Sequence, residues 1–295
     1  MGRDTVNESR AVRLQTARYG IPPLSVSDFG FEQFTGSGQT LFVLGSGSSV
    51  NELVDEDFQL IDQEFSIGVN HWTIHPYIPS AYSFEFVGQE RHQGHVLDTH
   101  LRHLSFLEHK TLPHQAPLLI GLKPRSDFEF NQLRWVPESL RQQVRFYGRV
   151  TPRASSLSDL EKATSLLQIL LRAPGMGPLV LDSGASVVRL TSLGLKLGFS
   201  RIVLVGVDHN NPTYFWEEKP EYLSPLGLSE WPRRKFQELH PTMIKENRPF
   251  GARDCLVALS KYAVGHNQTV YAGSSRSLLS QDLPVFSWPR NSNSN

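Results

Sequence analysis

The chain has 295 residues, 39% hydrophobic and 20% charged, which is an ordinary globular balance with room for one large α/β domain or a domain plus a lid. Its 29 basic and 29 acidic side chains cancel, so nothing supports nucleic-acid binding through a bulk basic surface. A single cysteine, Cys255, excludes an intrachain disulfide and a cysteine-based zinc site, and no run approaches the roughly 20 apolar residues of a membrane span. No secretory apolar region follows Met1. A cytoplasmic protein is therefore expected, with peripheral contact at the inner face of a membrane and a homo-oligomer both left open.

In chain order, residues 1–40 are polar and turn-rich and read as an arm, with a short helix between Arg10 and Tyr19. Leu41, Phe42, Val43 and Leu44 form a short buried strand. Gly45, Ser46, Gly47, Ser48 and Ser49 follow at once, and residues 50–60 read as a helix or turn. A strand feeding a Gly/Ser turn that opens a helix is how open α/β sheets hold phosphates. Glycines admit a close backbone approach, and a helix N-terminus offers unpaired N–H groups. Residues 65–70 are a second strand ending in Asn70, and residues 81–87 a third carrying Glu85. His92, His95, His100, His103, His109 and His114 accompany Leu97, Leu101, Leu104 and Leu107 at helical spacing. Histidines three apart can share a metal, but no HExxH motif accompanies them, and a solvated face of an amphipathic helix is the plainer reading. Residues 117–122 and 144–148 read as further strands.

The second informative block runs from residue 179 to 208. Asp182, Ser183 and Gly184 precede a buried helix over residues 185–197, with Asp182 or Ser183 as its cap and Gly198 as its stop. Residues 201–208 form the clearest strand, and Asp208 sits at its carboxyl end, where open α/β sheets bind ligands. Residues 209–250 carry Trp216, Trp231 and several prolines with little periodicity, too long a stretch for a plain connection. A helix over 252–262 places Cys255 on its inner face, and residues 268–271 form a late strand. The expected fold is α/β, a doubly wound, mostly parallel sheet (Rossmann-like, a GT-A-like variant) with an inserted lid. Its parts are an arm at 1–40, a nucleotide-binding core at 41–208, a lid or acceptor subdomain at 209–250, the rest of the core at 251–290, and a frayed tail at 291–295.

The redox fingerprint GxGxxG fails here. Gly45 and Gly47 match, but Val50 stands at the third glycine, and strand two ends in Asn70 rather than a ribose-binding acid. No GxxxxGK[ST] occurs, which removes a P-loop kinase. An amide at residue 70 can both donate and accept, and so can read a ribose or base edge without adding charge beside a phosphate.

Taken in order, the residue 45–49 turn, Asn70, Ser183 with Gly184, and the Gly206, Val207, Asp208 strand end resemble the bacterial lipooligosaccharide sialyltransferases. The resemblance covers residues 41–280 as separate islands. It implies a single doubly wound nucleotide-binding domain with a mobile lid. It also implies inverting transfer of an acidic sugar, sialic acid or a relative, from a CMP-activated donor to a glycan hydroxyl. By position it implies that Gly45, Ser46, Gly47 and Ser49 hold the cytidine nucleotide and that Asn70 recognises it. Ser183 and Gly184 would meet the donor, and Ser274, Ser275 and Ser277 would lie in a loop closing over the base. Asp208 would end the strand leading to the lid, Tyr214 would bond the donor phosphate, and His240 would be the base. Where the family has an asparagine after strand three this chain has Glu85. Val180 stands for an arginine before the serine–glycine helix, and Asn210 for a second lid tyrosine.

The chemistry asks for a base on the acceptor hydroxyl and for donors to the departing phosphate. Histidine suits the first role, and His209, directly after Asp208, is a rival to His240. Tyr214, Arg233, Arg234 and Lys235 suit the second. No cofactor is required beyond the CMP-sugar, and a divalent metal stays open. The partners are a nucleotide-sugar donor and a glycan acceptor, not nucleic acid. Two other readings remain: a pterin pyrophosphokinase-like phosphotransferase using ATP and metal, whose family shares the Gly-rich turn and Gly–x–Asp strand, and a nucleotide- or sugar-binding module without turnover. Each residue also has a plain structural role available: a tight turn at 45–49, a turn former at Asn70, a helix cap at Ser183, a loop-bonding carboxylate at Asp208, and packing at Tyr214.

Overall fold

In chain order the strands are β1 (Thr40–Leu44), β2 (Phe65–Val69), β3 (Ala81–Phe84), β4 (Leu118–Leu122), β5 (Val144–Val150), β6 (Leu179–Leu181), β7 (Arg201–Val205) and β8 (Thr269–Ala272). This is a computed structural model that describes residue 17 and residues 39–85, 95–111, 114, 116–122, 135–173, 176, 179–211, 213–228 and 250–289. Of the expected N-terminal helix only Ala17 is described, and it is helical; His92, Arg233, Arg234, Lys235, His240 and the tail lie outside the described residues.

All five residues of β1 are buried. Leu41 and Val43 enter one core while Phe42 and Leu44 enter the other, the two-residue period of a strand covered on both faces. The strand order is β6-β5-β4-β3-β2-β1-β7-β8, and every pairing among the described strands is parallel. Leu41 registers with Phe65 on one side and Ile202 on the other. From β1 the chain steps outward one strand at a time to β6, then returns to lay β7 against the other side of β1. The direction of winding therefore reverses between β1 and β7, and that switch point opens a crevice at the carboxyl ends of the strands.

The helices are α1 (Asp55–Asp62), α2 (His95–Thr111), α3 (Glu138–Arg141), α4 (Leu157–Arg172), α5 (Ser186–Leu197), α6 (Phe215–Glu218) and α7 (Ala252–Val264). α4, α5 and α7 cover the face that holds Leu41 and Val43. α2, α6 and two 3₁₀ turns, Ser48–Glu52 and Asn70–Ile74, contribute buried residues to the face that holds Phe42 and Leu44.

Sequence reading passed over α4 and the three-residue β6. Leu160, Ala163, Leu167 and Leu171 face inward on α4, but Leu157, Leu166 and Ile169 are exposed and blur the apolar stripe. Ser156 caps this helix, its Oγ accepting from Asp159 N at 3.1 Å. The expected cap of α5 is corrected. Its cap position is Ala185, without a side-chain bond, because Asp182 bonds Gly184 N and Arg189 instead. Gly198 ends α5 in the left-handed region at φ +93°, as expected. The histidine face of α2 is not wholly solvated either. His109 is exposed, but His103 is buried, its Nε2 3.0 Å from His71 Nδ1.

The first part of the 209–250 stretch packs onto the sheet. Tyr214, Phe215, Trp216 and Leu223 are buried in the core on the Phe42 side.

Candidate functional site

The glycines after β1 are required by the loop after β7. Gly45 N donates to Val205 O at 2.7 Å and Gly47 N to Gly206 O at 2.8 Å. A Cβ on Gly45 would stand 2.5 Å from Gly206 O, and one on Gly47 would run into the Asp208 carboxylate. Ser49 N donates to Asp208 Oδ2 at 3.0 Å, and Ser49 Oγ donates to Asp208 Oδ1. Ser48 N and Val50 N bond Thr213 O and Gly47 O at 3.1 and 3.2 Å. Four of the five amides from Ser46 to Val50 are thus occupied within the chain. The turn opens into the 3₁₀ turn Ser48–Glu52 rather than directly into an α-helix, and α1 starts only at Asp55.

Asp208 is 5% exposed. Burial pushes its carboxyl above the ordinary carboxylate value, and the two donations from Ser49 oppose that push. His209, also buried, adopts φ +61°, a left-handed backbone that costs a side-chain-bearing residue roughly 1–3 kcal/mol. The C-terminal loop closes on this turn. Ser277 Oγ donates to Val207 O at 2.6 Å, Leu278 N to Asp208 O at 2.9 Å, and Asn210 Nδ2 to Arg276 O at 3.0 Å. Ser274 Oγ donates to Glu52 Oε2 at 2.6 Å, while Ser275 O accepts from Ser280 Oγ at 3.0 Å. Ser46 O accepts from Phe215 N at 3.1 Å, and Tyr214 bridges to Gly47. The Tyr214 ring stacks on Trp216 at 4.4 Å and meets His71 edge-on at 5.5 Å.

A second group gathers where β2, β3 and β6 meet the start of α5. Asn70, at φ +47°, donates from Nδ2 to Ser186 Oγ at 3.3 Å. Gly184, at φ +82°, donates to Asp182 Oδ1 at 2.7 Å, with Ser183 beside it. At the centre is Arg189, 1% exposed. It donates to Asp182 Oδ1 at 2.7 Å and Ser186 Oγ at 3.1 Å and pairs with Glu85. Sequence reading missed Arg189. Its neighbours Val188 and Leu190 are apolar, but Ser186, Ser192 and Lys196 share its side of the helix, so the charge did not stand out. Val180 is buried within β6, and the cation that reaches the turn before α5 is Arg189, from within the helix.

The switch-point group thus joins Gly45, Ser46, Gly47, Ser49, Asp208, His209, Asn210, Tyr214, Ser274 and Ser275. The α5 group joins Asn70, Glu85, Ser183 and Gly184. Chemically, the first offers hydroxyls and a carboxylate beside an aromatic wall, and the second a buried ion cluster. Among the described residues, no three His, Cys, Asp or Glu side chains converge as a metal site, and no helix is long and apolar enough to cross a membrane.

No protein-family model and no curated protein matches the chain. Among solved structures, the sialyltransferase CstII from Campylobacter jejuni in complex with a substrate analogue, cytidine-5'-monophosphate, is 13% identical. That match covers 87% of this chain and 89% of that one, with a TM-score of 0.46. CST-II in complex with a trisaccharide acceptor and CMP is also 13% identical, covering 85% and 87%, with a TM-score of 0.45. At this identity and score the likeness stands alone, and no residue's role is carried over from it.

Proposed function

We propose that this chain is an inverting glycosyltransferase that moves an acidic sugar, sialic acid or a relative, from a CMP-activated donor to a glycan hydroxyl. One observation carries the reading. The four islands of the sialyltransferase resemblance all lie at the carboxyl edge of one parallel sheet: residues 45–49 after β1, Asn70 after β2, Ser183 and Gly184 after β6, and Asp208 after β7. That edge is where open α/β sheets take their ligands.

In this reading the nucleotide lies over the switch point, against Gly45, Ser46, Gly47, Ser49, Asp208, Ser274 and Ser275. Asn70, Ser183 and Gly184 face the donor from the α5 side, with Glu85 and Asn210 toward the sugar or acceptor. Tyr214 donates to the leaving phosphate, and a histidine, His240 or His209, takes the acceptor proton. No resident cofactor is needed.

A thermal-shift panel of CMP, UDP, GDP and ATP with magnesium tests it. CMP should raise the melting temperature most. A shift with ATP and magnesium alone would instead mark a pterin pyrophosphokinase-like phosphotransferase. Transfer that survives both His240→Ala and His209→Ala would remove the base assignment.

A further inference from the structure

A cleft of ≈ 270 Å³ opens beside the switch point, between the 3₁₀ turn after β1, the end of β7 and the segment after β8. Val205, Gly206 and Gly273 contribute to its lining. This is below the roughly 300–1,000 Å³ of a site that encloses a whole drug-sized ligand, so the cleft has room for one ring of a nucleotide sugar rather than all of it. Its walls differ in character. Ser49, Glu52 and Ser274 supply oxygen atoms, while Leu53, Phe286 and Trp288 supply apolar surface. The indole is fixed in place, because Trp288 Nε1 donates to Gly273 O at 2.8 Å and the ring stacks on Phe42 at 5.7 Å.

Glu52 is the one carboxylate in that lining. Ser274 Oγ donates to its Oε2 at 2.6 Å, and Arg276 Nη1 stands 3.0 Å from its Oε1. The side chain is still 31% exposed. Oε1 is buried against Arg276, so ligand hydroxyls would meet Glu52 at Oε2, whose two acceptor positions serve donors in addition to Ser274 or in exchange for it. A carboxylate beside a rigid aromatic wall suits a ring with neighbouring hydroxyls and an apolar face. The place where a dinucleotide fold keeps its ribose-binding acid, the end of strand two, is occupied here by Asn70, whose amide is turned to Ser186 on α5.

We infer that the cleft receives the ribose of the nucleotide and that Glu52 accepts hydrogen bonds from its 2′- and 3′-hydroxyls, making the site select ribonucleotides over deoxyribonucleotides. The inference rests on the nucleotide reading above. It adds a residue and a specificity that the resemblance does not supply.

Calorimetric titration of the wild-type protein with CMP and with 2′-deoxy-CMP tests it without any variant. CMP should bind about tenfold tighter or more, the loss expected when a hydrogen bond to a charged group is removed. Glu52→Gln keeps the side-chain size and an acceptor for Ser274, and should reduce the preference to about threefold or less. Its melting temperature without ligand reports whether it is folded. Equal binding of the two nucleotides to wild type overturns the ribose assignment and leaves the nucleotide reading intact. A preference that survives in folded Glu52→Gln overturns the role of Glu52. Failure of both nucleotides to bind folded wild-type protein overturns the nucleotide reading and the inference together.

Discussion

Ser49 and Asp208 stand 159 positions apart and meet through two hydrogen bonds, from the Ser49 amide and the Ser49 hydroxyl to the two oxygens of the same carboxylate. That contact joins the loop after β1 to the loop after β7 and so fixes the geometry of the switch point. Burial raises the Asp208 pKa above its ordinary 3.8. The folded protein then keeps this proton in a window above 3.8 where the unfolded chain has lost it, so the contribution of Asp208 to stability falls as pH rises through that window. Asp208→Asn has no such proton. Urea unfolding from about pH 4 to about pH 7 should show wild-type stability declining relative to the variant as pH rises. A difference that is flat or rises with pH would contradict this.

The two glycines of the turn make a second prediction. Gly45→Ala and Gly47→Ala each force a methyl against the Gly206 carbonyl or the Asp208 carboxylate. Each should cost about 1–3 kcal/mol in denaturant unfolding, the usual penalty of overpacking. A neutral substitution at both would mean that the loops do not approach as closely as described.

His75 is held neutral. Burial first, then the charges of Lys110 and Lys219, lower its pKa from 6.5 to about 3. Its Nδ1 accepts from Tyr77 N at 3.1 Å, and its ring stacks on Trp72 at 4.4 Å. The unfolded chain takes up this proton below 6.5 and the folded protein does not. The stability that depends on neutral His75 is therefore complete above 6.5 and is lost as pH falls toward 3, at up to about 1.4 kcal/mol per pH unit. Imidazole NMR should find His75 uncharged at about pH 5, where a solvated histidine is mostly protonated. Titration near 6.5 would refute its burial.

Arg189 sits between Asp182 and Glu85 with almost no exposure. Arg189→Met leaves both carboxylates beside an apolar side chain and should cost about 3–5 kcal/mol. Glu85→Gln, which leaves Arg189 with Asp182, should cost less. Denaturant midpoints of the two variants check that order, and a Glu85→Gln loss larger than that of Arg189→Met would reverse the hierarchy.

Much of the sheet was legible because its strands are short apolar runs bounded by turn residues. β1, β2, β4 and β8 fall within a residue of where hydrophobicity puts them, and β7 starts at Arg201 as expected but ends at Val205, three residues early. β6 was not, since three residues carry no period, and α4 was not, since Leu166 and Ile169 point outward. At the site, Gly45, Gly47 and Asp208 were recognisable from turn chemistry and strand-end position. What composition could not reveal is that they contact one another, because that depends on β7 lying beside β1. The same limit hid Arg189 and Glu52. Each is an unremarkable charge in the sequence and acquires a place only when β3 meets α5 or the C-terminal loop meets the turn after β1.

The central claim is that the ligand lies at the β1/β7 switch point. A crystal of the wild-type protein soaked in CMP measures it directly. The expected difference density lies over residues 45–49 and Asp208, with its ribose between Glu52 and Trp288. Density for CMP at the opposite end of the strands, in the hollow lined by Asp62, Tyr77 and His114, would contradict it.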